Sequence, residues 1–207
     1  SYVIASAHAE DGSSGDPTSN AGAAYIFSRS GSTWTQQAKI VDPSPSVNGY
    51  FGQSVSINSD GTYAAISRYT YNNSAGAVFV FTRSGSTWSQ QALLTASDAQ
   101  TSDNFGKTGL RISGNGLYIV AGAHGEDGGS GDPILGAGAA YIFERSGTSW
   151  SEVKKLTASD AEYNDQFGMS ADINTDGTFV IIGAPVEDGG SGSPLTSSGA
   201  AYIYEAG

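Results

Sequence analysis

Apolar residues along this chain recur at every second position in short runs, each bounded by clusters of Gly, Asn, Asp and Ser. Phe51, Gln53, Val55 and Ile57 share one parity, Asn58-Ser59-Asp60-Gly61 follows, and Tyr63 to Ser67 runs back. A period of two puts successive side chains on opposite faces, so these runs predict strands joined by tight turns. Ala23 to Phe27 leads into Ser28-Arg29-Ser30-Gly31-Ser32, a hairpin turn in which Gly supplies positive φ. The next strand covers Trp34 to Ile40, and strict alternation puts Trp34, Gln36, Ala38 and Ile40 on one face. The 3.6-residue period of a helix is absent.

The runs recur as a repeat, which decides the fold. A Phe-Gly pair stands at Phe51, Phe105 and Phe167, and a Gly-Ala pair opens a strand at Gly22, Gly76, Gly138 and Gly199. Each of the first three of these glycines precedes its Phe by 29 residues and a tryptophan follows each by 12, at Trp34, Trp88 and Trp150. The register divides the chain into 1–49, 50–103, 104–165 and 166–207. The middle two units hold four strands each, the first lacks its opening strand and the last its Trp-bearing strand, giving 14 in all. Four short antiparallel strands per unit make a propeller blade, so the fold class is an all-β propeller read as a single segment over 1–207. Phe105 to Tyr118 is one residue longer than its counterparts, and a β-bulge at Thr108-Gly109 absorbs the extra residue without reversing the faces.

The matching residues Phe51-Gly52, Phe105-Gly106, Phe167-Gly168 and Gly183-Ala184-Pro185, with Gly122-Ala123-His124 and Ser6-Ala7-His8 as variants, carry a resemblance to FG-GAP repeats. These are the units of the integrin α-subunit propeller and of many microbial surface proteins. Leu-Thr-Ala-Ser-Asp at Leu94 to Asp98 and Leu156 to Asp160 looks like the bacterial, marine-microbial and viral branch. The resemblance implies a seven-bladed ring of which this chain is a segment, with a closed four-bladed ring as the alternative. It implies a surface, extracellular or virion location and a role in adhesion. It also implies a calcium loop between the first two strands. Asp172-Ile173-Asn174-Thr175-Asp176-Gly177 matches the start of that loop, so Asp172, Asn174 and Asp176 are candidate Ca²⁺ ligands. Val180 and Gly183 depart from its later positions, and the same residues also suit a hairpin turn.

Charge narrows the function. Twenty acids against nine bases give a net charge of −11, which argues against a nucleic-acid or anionic-membrane partner. No apolar run reaches transmembrane length, and the lack of cysteine excludes disulfides and thiolate metal sites. In a propeller the 2–3 and 4–1 loops share one end. They hold Glu10, Asp11, Asp16, Glu126, Asp127, Asp132, Glu187 and Asp188, together with Asp42, Asp98, Asp103, Asp160, Glu162 and Asp165. The step from Tyr63 to Gly76 is 13 residues, against 20 from Tyr2 to Gly22, so the 2–3 loop of the second unit is seven residues shorter and carries Arg68 in place of the acidic motif.

The acidic loops and Arg68 form the candidate ligand-binding face for a protein or glycan, with Ca²⁺ as a candidate cofactor. His8 and His124 hold equivalent positions at the mouths of two of these loops. No acid–base pair, nucleophile elbow or phosphate loop stands out, so the reading is a non-enzymatic binding or adhesion module. A structural subunit of a virion, fibre or surface layer is the alternative, and a carboxylate hydrolase the third reading. The open edge of Ala200 to Tyr204 is expected to be covered by another chain or by further polypeptide. The three Phe-Gly phenylalanines are expected to be buried, so Phe105→Ala should destabilise the chain by about 3–5 kcal/mol in a denaturant titration.

Overall fold

The computed structural model describes residues 1–11, 18–127, 134–189 and 196–206. Its fourteen strands form four antiparallel sheets, each a blade. The first blade is β1 (Tyr2–Ala7), β2 (Ala23–Ser30) and β3 (Thr33–Val41). The second is β4 (Val55–Ile57), β5 (Tyr63–Arg68), β6 (Ala77–Ser84) and β7 (Thr87–Leu94). The third is β8 (Leu110–Ile112), β9 (Tyr118–Ala123), β10 (Ala139–Ser146) and β11 (Ser149–Leu156). The fourth is β12 (Ser170–Ile173), β13 (Phe179–Ala184) and β14 (Ala200–Glu205). Leu110 faces Ala121 as Val55 faces Ile66, and the Gly122 N–H reaches the Gly109 carbonyl as that of Ser67 reaches Ser54. The extra residue is therefore absorbed ahead of the strand and the faces are kept.

Each blade meets the next through a separate apolar core. Ala24, Ile26 and Ile40 of the first blade pack on Phe51, Phe79 and Phe81 of the second. Val78, Val80 and Leu94 then pack on Phe105, Tyr141 and Phe143. Ala140, Ile142 and Leu156 pack on Phe167, Tyr202 and Tyr204. At each of the three junctions a mainly aliphatic face of one blade thus meets a mainly aromatic face of the next. Phe51, Phe105 and Phe167 are fully buried, each lying edge-on or tilted against two aromatic rings of its own third strand at 5.4–6.4 Å.

The Phe-Gly pair also joins two backbones. The Phe N–H donates to the carbonyl of Ala21, Ala75 or Ala137 in the preceding blade, at 2.9, 3.0 and 2.9 Å. The following glycine N–H donates to Ser67, Gly122 or Gly183 at the end of strand two in its own blade. For the blades to approach this closely, Gly22, Gly76 and Gly138 adopt φ of +86°, +94° and +85°. A Cβ at any of them would stand 2.1–2.2 Å from the carbonyl oxygen of the next blade's Phe. Only glycine fits both the conformation and the contact.

The outer strand departs from strict alternation. Its pairing to strand three shifts between Ile26 and Phe27, between Val80 and Phe81, and between Ile142 and Phe143. The residues left over on the partner strand are Gln37, Gln91 and Val153. The expected shared face of Trp34, Gln36, Ala38 and Ile40 is therefore corrected. Trp34 and Gln36 lie across from Arg29 and Phe27, whereas Ala38 and Ile40 lie across from Ile26 and Ala24 on the opposite face. A bulge re-aims its extra side chain, and here the bulged glutamines accept hydrogen bonds from the next blade's tryptophan. Trp88 Nε1 donates to Gln37 Oε1 at 3.2 Å and Trp150 Nε1 to Gln91 Oε1 at 3.0 Å.

The glycine contact generates a graded prediction. Gly138→Ala should cost roughly 3 kcal/mol or more, because left-handed strain of about 1–2 kcal/mol adds to a backbone clash. Gly147→Ala, at φ +62° with nothing within 4 Å of the added Cβ, should show the strain alone, about 1–2 kcal/mol. Paired denaturant titrations check the difference.

Candidate ligand-binding face

The 2–3 and 4–1 loops meet at one end of the blades, as the contacts among them show. Glu10 follows β1, and its carboxylate accepts from the Tyr25 hydroxyl at 2.5 Å and Lys39 Nζ at 2.6 Å. Glu126, after β9, is buried and takes Lys155 Nζ at 2.6 Å. The same ammonium reaches Asp98 at 2.7 Å, and Asp98 accepts from the buried Tyr141 hydroxyl at 2.7 Å. In the fourth blade Tyr202 donates to Asp160 at 2.7 Å, and Glu187 Oε1 accepts from the Gly189 N–H at 2.8 Å.

A loop glutamate, a strand-three tyrosine and a strand-four lysine thus occur together in the first and third blades. In the second blade the glutamate is missing with the loop, and the other two places hold Phe79 and Leu93. That covariation among the repeats is visible in the sequence. Sorting the acids by loop missed it, because Lys39 and Lys155 belong to strands and not to loops.

The other acids divide between bracing the loops and charging them. Asp11 Oδ1 accepts from the Asn20 N–H and the Ser19 hydroxyl, and Asp127 Oδ1 from the Gly136 N–H, closing the bases of their loops. Asp103 and Asp165, both buried, accept from the N–H groups of Gln100 and Glu162 at 2.6 Å. Burial, with the charges of Glu126, Asp98 and Asp127, pushes the Asp103 carboxyl up to about 6. Burial and then the charges of Glu187, Asp188 and Asp160 likewise raise Asp165. Glu162 is raised by desolvation and by Asp188, Asp165, Glu187 and Asp160. Carboxylates therefore crowd one another on both sides of the third blade, around Asp103 and around Asp165. Asp16 and Asp132 lie outside the described residues.

Arg68, at the end of β5, is not a lone base among acids. Its Nη1 meets Asp42 Oδ2 at 2.6 Å and the Ser44 carbonyl at 3.1 Å, and its Nη2 meets Ser46 Oγ at 2.6 Å. Asp42 is buried, so this pair holds the first 4–1 loop where the acidic 2–3 loop has been deleted. Beside it, half-exposed Tyr50 and Tyr69 stack at 6.0 Å and 18°. His8 tilts against Tyr50 at 6.2 Å, and Lys107 Nζ lies 4.9 Å from the Tyr69 ring centre. His124, next along the same end, has its pKa lowered by burial and then by Lys107. This shelf crosses three blades. Tyr69 stands in the repeat position of His8, His124 and Pro185, and Tyr50 in that of Asn104 and Gln166. Tyr50, an aromatic where the other repeats have Asn104 and Gln166, was the signal for it.

At the opposite end, Asn174 and Asp176 come together in the turn between β12 and β13. Asn174 Oδ1 accepts from the Phe179 N–H, and Asp176 Oδ1 from the N–H and hydroxyl of Thr178. Asp172 is turned away to the Arg111 guanidinium at 3.7 Å. Among the described residues, no three His, Cys, Asp or Glu side chains are grouped to hold a metal ion.

Four-stranded antiparallel blades joined in sequence, each clipped to the next by the same dipeptide, define a β-propeller repeat protein. The FG-GAP repeat family matches residues 34–81, 88–143 and 150–204, and the chain belongs to that family. Each match runs from a blade's tryptophan to the second aromatic of the next blade's third strand. Comparison with curated protein sequences gives no match.

Among solved structures the chain is similar to the crystal structure of TolB from Acinetobacter baumannii. That match has 14% identity and a TM-score of 0.45, over 89% of this chain and 35% of that one. It is also similar to a TolB protein from Agrobacterium tumefaciens, at 14% identity and a TM-score of 0.39, over 77% and 50%. The chain spans at most half the length of these two structures. No helix among the described residues is long and apolar enough to cross a membrane.

The ion pairs generate a contrast. Lys155→Met leaves buried Glu126 beside Asp98 without their shared cation and should cost about 3 kcal/mol or more. Lys39→Met opens a half-exposed pair, with side chains 24% and 25% accessible, and should cost about 1 kcal/mol or less. Thermal and denaturant unfolding of both variants checks this.

Proposed function

We propose that the chain is a non-enzymatic binding module, displayed outside a cell or on a particle surface, that takes a protein or glycan ligand on its loop end. The observation that carries this reading is the His8–Tyr50–Tyr69–Lys107 shelf. Its tyrosines are half-exposed and belong to none of the three interblade cores, and Tyr50 replaces the polar Asn104 and Gln166 of the repeat. Stacked tyrosines offer a rigid amphipathic surface to a sugar ring or an apolar side chain at low entropic cost. The crowded loop carboxylates around Asp103 and Asp165 favour ligands carrying positive charge or arriving with cations. FG-GAP membership supports a binding role, since such propellers serve in adhesion and ligand capture.

Catalysis fits the site less well, because Glu126 and Asp98 share one lysine and Glu10 is held by Tyr25 and Lys39. The test is an array of glycans and extracellular proteins probed with the full chain, with and without calcium. A ligand found there should lose roughly tenfold or more in affinity with Tyr69→Ala, in keeping with the loss of an aromatic anchor. Undiminished binding by Tyr69→Ala would remove the shelf from the account.

A further inference from the structure

At the end of the blades away from the acidic loops, two junctions share a device that the third lacks. Arg83, one residue past the Thr82–Tyr63 pair, lays its guanidinium over the Tyr2 ring of the preceding blade, 4.3 Å from the ring centre. Its Nε donates to the Gly61 carbonyl at 2.5 Å and its Nη1 to Gly85 at 2.8 Å. Arg145 repeats this over Tyr63, again at 4.3 Å, with Nε on the Gly116 carbonyl and Nη1 on Gly147, both at 2.9 Å. The glycine of the 1–2 turn lies flat on the tyrosine, since a Cβ at Gly61 would come within 2.2 Å of the Tyr2 ring. Aromatic face and turn carbonyl together form a slot shaped for a guanidinium group.

Between the third and fourth blades the slot is built but holds no arginine. Gly177 lies on Tyr118 as Gly61 does on Tyr2, with the same 2.2 Å approach. The arginine position is Ala206, and the backbone shows the equivalence. The Ala206 N–H donates to Thr178 at 2.8 Å as Arg83 does to Thr62 at 2.9 Å and Arg145 to Leu117 at 2.8 Å. Next to buried Ala206 is a cavity of about 350 Å³ lined by Tyr118, Asp176, Gly177, Thr178, Phe179 and Glu205. The Asp176 carboxylate is kept anionic by the Thr178 hydroxyl, and Glu205 adds a second acid at the rim.

We propose that this cavity is a guanidinium-binding site that receives an arginine side chain presented by another polypeptide. The Tyr118 ring supplies the cation–π face, the Gly177 carbonyl accepts Nε–H, and Asp176 and Glu205 offset the charge. Arginine is favoured over lysine because its flat, weakly hydrated fork can stack on the ring and donate in plane at once.

The test uses the full chain and N-acetyl-arginine amide as probe, followed by NMR shifts of the backbone amides. Half-saturation is expected at roughly 1–10 mM for so small a ligand, with shifts centred on Gly177, Thr178 and Phe179 and several-fold weaker binding of N-acetyl-lysine amide. Ala206→Arg, which restores the sibling arrangement, should abolish the shifts and raise the melting temperature. Tyr118→Leu should also abolish them without adding a competing cation, so the outcome does not depend on one variant folding. Absence of localised shifts up to roughly 50 mM, or shifts that persist in both variants, would overturn the assignment.

Discussion

The structure depends on one backbone approach, repeated three times. A glycine held near φ +90° at the start of a third strand brings its blade within contact of the next blade's Phe carbonyl. The neighbouring alanine carbonyl then accepts the Phe N–H, and the Phe ring drops onto the aromatics of strand three. Hydrogen bond, ring packing and chain direction are fixed at one point. A side chain at the glycine would separate the blades and open the core between them.

From that point the other interblade contacts follow. The clip sets the spacing at which an aliphatic face meets an aromatic one, and each buried Phe adds about 1.5–3 kcal/mol of apolar burial. Further out, the bulge in strand four turns Gln37 and Gln91 toward the next tryptophan. At the end away from the acidic loops, arginine over tyrosine closes two of the three junctions. Stability in such an array sums over neighbouring pairs, so loops not needed for these contacts are free to differ. The second blade shows this, with Arg68 and Asp42 standing in for a deleted acidic loop.

The fold was legible because its signals are local and repeated. The Phe-Gly, Gly-Ala and Trp registers located fourteen strands and the three buried phenylalanines. Parity failed in strand four, where a single bulged residue reverses the faces of Trp34 and Ala38, and no residue type marks the bulge in isolation. Topology groups the acidic loops in the sequence, but their electrostatics depend on Lys39 and Lys155 reaching up from strands. The aromatic shelf and the unfilled arginine slot were hidden for a related reason. Each is a departure from the repeat, and becomes visible only when equivalent positions such as Tyr69 and His8, or Ala206 and Arg145, are set side by side.

The central claim is that the Phe-Gly segment acts as an interblade clip and not as a loop, although it lies outside the named strands. Native-state hydrogen exchange of the Phe51, Phe105 and Phe167 amides tests it most directly. The account predicts protection matching that of the central strands β5, β9 and β13, since opening these bonds requires separating two blades. Exchange at the rate of the exposed hairpin turns at Gly31, Gly85 and Gly147 would contradict it.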